Sequence, residues 1–179
     1  VYFKNDHNYG TAQSLNRMIE ANPSDYYVFI GNDIELPRWW LKYLVEAAEK
    51  TEDKAGVIGI DWRGLAHQYE KKEINGHPVD ASTNVFGTMF ITQTLRNKIG
   101  KFCEDYGTYS LWDSDYSIRA TAAGMENFYL RNLTSHHFGN DVGEDTPYRK
   151  MKDESMSKAR PIFDQNVLRY RQGDYYIKP

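Results

Sequence analysis

The sequence predicts an α/β domain whose core is a mostly parallel sheet flanked by helices. Three observations predict it. Short apolar runs rich in strand formers alternate with segments of helical period. Asn, Pro and Gly residues stand where helices have to stop. The 179 residues hold no repeat and no low-complexity linker, so they read as one domain, long enough for a sizeable core.

Val1-Tyr2-Phe3 opens the chain in strand-like residues. Thr11 to Ala21 carries Ala12, Leu15, Met18 and Ile19 at helical spacing, and Asn22-Pro23-Ser24 ends that helix. Tyr26 to Ile30 reads as a buried strand. Pro37 suits the first turn of the next helix, striped by Trp40, Leu41, Leu44, Val45 and Ala48 and ending near Thr51. Val57 to Ile60 is another strand. Asp61 to Asn84 is polar and irregular, an excursion with a small hairpin turning at Asn75-Gly76. Val85 to Thr92 is strand-like with Gly87 inside it, a residue that often marks close approach by another group. Asp115 to Ala123 is helical up to Gly124, and Phe128 to Leu133 is a further strand. From Pro147 the tail is polar with Ile162, Phe163, Val167, Leu168 and Tyr170 interspersed, a helix docked on the domain.

Charge and composition narrow the function classes. A net charge of -3 with no Lys/Arg-rich run argues against nucleic acid as a partner. Arg149 to Arg160 mixes both signs and reads as a solvated face. The single cysteine, Cys103, excludes an internal disulfide and a multi-cysteine zinc site, and a cytoplasmic, reducing location is expected. No apolar run approaches the roughly 18 residues of a membrane span, and the start does not read as a signal peptide. The 14 tyrosines among 15% aromatic residues suit sugars and bases, although most such rings fill a core.

Three polar groups carry candidate chemistry. Gly31-Asn32-Asp33 follows the strand Tyr26 to Ile30, and the carboxyl ends of strands are where α/β sheets bind ligands. An acidic residue there can hold a hard cation against phosphate oxygens; a plain strand-to-helix turn is the other reading. Trp112-Asp113-Ser114-Asp115 opens a helix. Asp113 or Ser114 can cap it, but capping needs only one such residue, and paired carboxylates beside Trp112 also suit a general base next to a ring-stacking platform. His136-His137-Phe138-Gly139 follows the last strand, beside Asn140-Asp141. Neighbours on an extended chain point to opposite sides, so at most one of the two histidines faces a metal.

In order and spacing these segments resemble the family 2 glycosyltransferases, with their GT-A fold, through nearly the whole chain. Asn8-Tyr9-Gly10 with Asn16 on the next helix is similar to the family's Asn-x-Gly and following Asn. Tyr26 to Pro37 resembles the strand leading to its metal motif, and Trp39-Trp40-Leu41 its Trp-Leu pair. Phe86-Gly87-Thr88-Met89-Phe90-Ile91 is similar to its acceptor-side strand, and Ile99 to Glu104 to its Ile-Gly-x-Phe-Asp-Glu. Trp112 to Arg119 resembles Glu-Asp-x-Asp-x-x-x-Arg, His136 or His137 the late histidine, and Asn166 to Gly173 a frequent tail. The chain departs from the pattern where Asp-x-Asp is Gly31-Asn32-Asp33 and where Trp112 replaces a Glu. The family's opening βαβ segment has no counterpart in the sequence, so a fragment is expected.

The resemblance implies a GT-A-like domain that moves a sugar, with inversion, from a nucleotide-diphosphate sugar to a hydroxyl of a glycan or other acceptor, a membrane-peripheral one included. It implies a divalent cation, manganese or magnesium, held by Asp33 with His137 or His136, and Asp113 as the base. Asn8, Gly10, Asn16, Asn32, Gly87, Trp112 and Asp115 are implied in substrate binding, and Arg119 in a structural ion pair. Two other classes stay open: a non-catalytic nucleotide-sugar or glycan-binding module, and a nucleotidyltransferase, whose Gly-rich basic loop is not visible here.

Overall fold

The computed structural model describes residues 4–138 and 146–178. Val1-Tyr2-Phe3 and the Gly139-Asn140-Asp141 turn, both singled out in the sequence, lie outside the described residues. In chain order the elements are α1 (Thr11–Ala21), β1 (Tyr26–Ile30), β2 (Ile34–Glu35), α2 (Trp40–Thr51), β3 (Ala55–Asp61), β4 (Glu70–Ile74), β5 (His77–Ala81), β6 (Thr88–Thr92), α3 (Gln93–Ile99), α4 (Trp112–Ala122), β7 (Glu126–Thr134), β8 (His136–His137) and α5 (Pro147–Arg171).

Six strands form one sheet in the order β1-β6-β3-β7-β5-β4, and β2 pairs with β8 beside it. The expected mostly parallel sheet is corrected here: β3 with β7 is the one parallel pair, and the other ladders are antiparallel. The alternation of strands and helices did predict direction. β1 and β3 both run against β6, and β3 runs with β7, so these three strands point the same way. The reading failed because β6 inserts between β1 and β3 in the opposite sense. The β4–β5 hairpin also joins the sheet through β5 and β7 instead of standing apart. Its turn is the one expected, with Asn75 and Gly76 both at positive φ, 51° and 76°.

Residue alternation along the strands fills both faces of the sheet. Val57, Met89, Ile91 and Tyr129 meet Leu15 and Ile19 of α1, Leu95 and Ile99 of α3, and Tyr116 and Ala120 of α4. Ile58, Ile60, Phe90, Phe128 and Leu130 meet Leu44, Ala47 and Ala48 of α2 on the opposite face. A third cluster joins Cys103, Tyr106 and Leu111 to Ala159 and Phe163, and so docks α5 on the domain. No helix among the described residues is long and apolar enough to cross a membrane.

Several boundaries differ from the expected ones. Pro37 precedes α2, which starts behind Trp39 in the left-handed conformation (φ 66°). Gly87 lies just before β6. α4 starts at Trp112 and α3 was not foreseen at all. The stretch Gln93–Ile99 buries Leu95, Arg96 and Ile99, too few residues for a clear helical period.

Candidate active site

The carboxyl ends of β1, β3 and β7 and the amino end of β6 reach one edge of the sheet. Ile30 lies opposite Thr88, and Asp61 opposite Thr134. Trp62 follows and Gly87 precedes such an end directly, and Asp33 and His137 each lie three residues beyond theirs. A turn closed by the Ile34 N–H on the Gly31 carbonyl (3.2 Å) delivers Asp33. The β2–β8 ladder then sets Ile34 opposite His137 and Glu35 opposite His136.

That pairing separates the two histidines. His137 is half-buried and its Nε2 is 3.3 Å from Asp33 Oδ2. His136 is exposed, with its ring edge-on to Phe138 at 4.5 Å. The geometry of Asp33 and His137 can be tested against a cation. Ligands bound at about 2.1 Å in an octahedron stand about 3.0 Å apart at adjacent positions, close to the separation found. Two ligands of a divalent cation can stand at this separation, as can the members of a direct carboxylate–imidazole ion pair. Among the described residues no group of three or more His, Cys, Asp or Glu side chains is arranged around a cation site.

Asp113 arrives from the opposite direction. α4 leads into β7 through a tight turn, in which the Met125 N–H donates to the Ala120 carbonyl (3.0 Å). A helix that turns straight back into a strand runs against it, so the amino end of α4 points toward the same edge. Asp113 keeps partial solvent access, yet surrounding protein raises its carboxyl pKa by desolvation. Asp113 is not the helix cap expected: Leu111 holds that position, at φ 58°, and Asp113 Oδ1 accepts from the adjacent Ser114 N–H (2.7 Å).

Burial raises the pKa of the Tyr109 hydroxyl, the Tyr148 side chain lowers it, and the negative charges of Asp113 and Asp33 add smaller upward contributions. Tyr148, from the start of α5, feels Asp33 as well, and Lys152 sits over both rings at 4.7 Å and 5.2 Å. Sequence reasoning missed Tyr109, Tyr148 and Trp62. None lies in a chemically marked motif, although Trp62 follows directly on a strand that the sequence does reveal.

The remaining expected residues divide. Asn32 is exposed beside Asp33. Asn8 accepts from the Gly10 N–H (3.0 Å), and Gly10, at φ 84°, lies so close to the Gly107–Thr108 backbone that a Cβ would stand 2.8 Å from it. Trp112 is half-buried and packs edge-on to Phe102 at 5.6 Å, part of the core's rim. Asn16 and Asp115, both expected to bind substrate, serve the interior instead. Asn16 donates to the Phe102 carbonyl and Glu104, and accepts from the Phe102 N–H, so its amide is spent fixing that loop. Asp115 is fully buried and accepts from Tyr106 (2.6 Å), Tyr170 (2.5 Å) and Arg119 (2.7 Å). The Asp115–Arg119 ion pair lies within α4, the structural part expected of Arg119, and the Tyr170 hydroxyl on Asp115 ties that helix to α5.

Compared with protein-family models and with curated proteins, the chain matches none.

Proposed function

We propose that this chain is the nucleotide-sugar-handling domain of a metal-dependent, inverting glycosyltransferase, GT-A-like in its fold. The Asp33–His137 pair beyond the carboxyl end of β1, with Oδ2 and Nε2 3.3 Å apart, carries this reading. The order of motifs along the chain supports it.

Asp33 and His137 would hold the divalent cation, manganese or magnesium, leaving its other positions to phosphate oxygens and water. When bound, the ion would neutralise negative charge on the leaving diphosphate. Asp113 accepts the proton of the acceptor hydroxyl, and the desolvation that raises its pKa makes it a better base near neutral pH. The protein packed around its carboxyl would limit the water that competes for that transfer. Approach in line with the departing diphosphate inverts the anomeric carbon. Asn32, beside Asp33, is placed to meet the donor, and Tyr109 and Tyr148 offer rings for a sugar.

The test is incubation with a panel of nucleotide-diphosphate sugars and manganese, following release of the nucleoside diphosphate. Release that needs both the metal and Asp33 is the expected result. Donor binding with no release under any metal supports a non-catalytic nucleotide-sugar or glycan-binding module instead. Neither binding nor release sinks both readings.

A further inference from the structure

A metal-ligating histidine is normally oriented by a hydrogen bond to its second ring nitrogen, which fixes the tautomer and the ring plane. His137 departs from that rule. Its Nδ1 is buried and has no hydrogen-bond partner among the described residues. What the ring has is a neighbour: the Trp62 indole lies 4.7 Å away, centroid to centroid, tilted by 35°.

Trp62 is itself tightly placed. It follows β3 directly, where the Asp61 carboxylate gathers the loop by accepting from the Arg63 N–H (3.0 Å) and the Leu65 N–H (2.8 Å). The strand carrying His137 is tied to the same point, since the Ser135 N–H donates to the Asp61 carbonyl (2.9 Å). The indole also lies close to Gly87. A Cβ there would stand 2.6 Å from Trp62 Cδ1 and 2.7 Å from Nε1. Gly87 also holds φ at 82°, a conformation side chains rarely adopt.

We propose that Trp62 is the positioning residue for His137, its indole face replacing the hydrogen bond that ordinarily sets a ligating imidazole, with Gly87 leaving the room the indole needs. This rests on the reading of His137 as a cation ligand, and it adds residues that the motif resemblance does not assign to the metal. An aromatic face restricts the tilt of a neighbouring ring without demanding a proton from it. An aliphatic side chain of similar bulk fills the space but leaves the imidazole free to turn.

The experiment is a manganese titration of the purified chain, read as loss of the free-ion electron paramagnetic resonance signal, with no turnover involved. The series comprises wild type, Asp33→Ala, Trp62→Phe, Trp62→Leu and Gly87→Ala, with circular dichroism to check folding. Trp62→Leu and Gly87→Ala are expected to weaken manganese binding roughly 10- to 100-fold, the usual consequence of losing an orienting partner. Trp62→Phe should stay within about threefold, since a ring remains. Should Leu disturb folding, Trp62→Met makes the same contrast between aromatic and aliphatic. Trp62→Leu or Trp62→Met binding as tightly as wild type overturns the positioning role while the cation site stands. Wild type without manganese uptake, or Asp33→Ala binding equally well, overturns the cation site and this inference with it.

Discussion

Asp33 and His137 touch through their side chains, Oδ2 to Nε2 at 3.3 Å, and their backbones are joined as well, the Phe138 N–H donating to the Asp33 carbonyl at 2.8 Å. A two-residue ladder thus brings the turn after β1 against the segment after β7. Because the backbone makes this juxtaposition, removing either side chain should leave it in place. Asp33 is also 43% exposed, so its loss opens no cavity. Asp33→Ala is accordingly expected to abolish metal-dependent transfer with an unchanged thermal midpoint. Full activity of the mutant in the same manganese or magnesium titration removes Asp33 from the site.

Asp115 offers the opposite case. It is fully buried and carries the charge that balances Arg119, also fully buried. Asp115→Asn leaves a buried guanidinium without its counter-charge, a change that costs roughly 3–5 kcal/mol. Urea denaturation should show that loss. The donor affinity of whatever fraction remains folded should be unchanged. A mutant as stable as wild type but unable to bind donor returns Asp115 to the substrate site.

The contrast between these residues explains what the sequence can and cannot reveal. Asp113 and Asp115 look alike on the chain, two carboxylates either side of Ser114, and helical geometry is what parts them. One enters the interior against Tyr106 and Tyr170, and the other keeps partial solvent access. Tyr170 comes from the far end of α5, a contact that no local pattern encodes. The β1 and α1 boundaries were legible because their apolar period and stop signals are local. The sense of β6 was not, since strand direction depends on which neighbours accept it, and antiparallel insertion leaves no mark on an apolar run. Likewise, alternation sends the two histidines to opposite sides, but only the structure sets His137, and not His136, beside Asp33.

Cys103 is expected to be inert. It is 3% exposed, and burial, reinforced by the charge of Asp115, pushes its thiol pKa up to about 11. At pH 8 only about one thiol in a thousand is then ionised, against a sizeable fraction for a free cysteine near 8.5. Reaction with a disulfide reagent should be slow in the native protein and fast in denaturant. Fast native labelling shows that the α5 contact over Cys103 opens readily.

Asp113→Asn separates catalysis from architecture. Leu111, not Asp113, occupies the cap position of α4, and the one local bond of Asp113, from the Ser114 N–H, is one that an Asn oxygen can also accept. Geometry therefore predicts little structural change. The pKa predicts more about stability. A carboxyl raised by burial is favoured neutral in the fold, so the stability it contributes is full below the ordinary carboxyl range and declines as pH rises through the raised value. Asn cannot ionise, so the mutant should be at least as stable as wild type at neutral pH, with the difference vanishing in acid. Against this comes the loss of the negative charge near the helix's amino end, about 0.3–1 kcal/mol and screened by salt. Turnover should behave differently. An amide cannot take the acceptor's proton, and a general base contributes on the order of a hundredfold to ten-thousandfold. Wild-type activity should fall in acid with a midpoint above the usual carboxyl range, and donor binding measured by calorimetry should be retained in the mutant. Turnover within a few-fold of wild type makes Asp113 dispensable as a base. Because Asp115 lies buried in its ion pair with Arg119, the base would then have to come from another element.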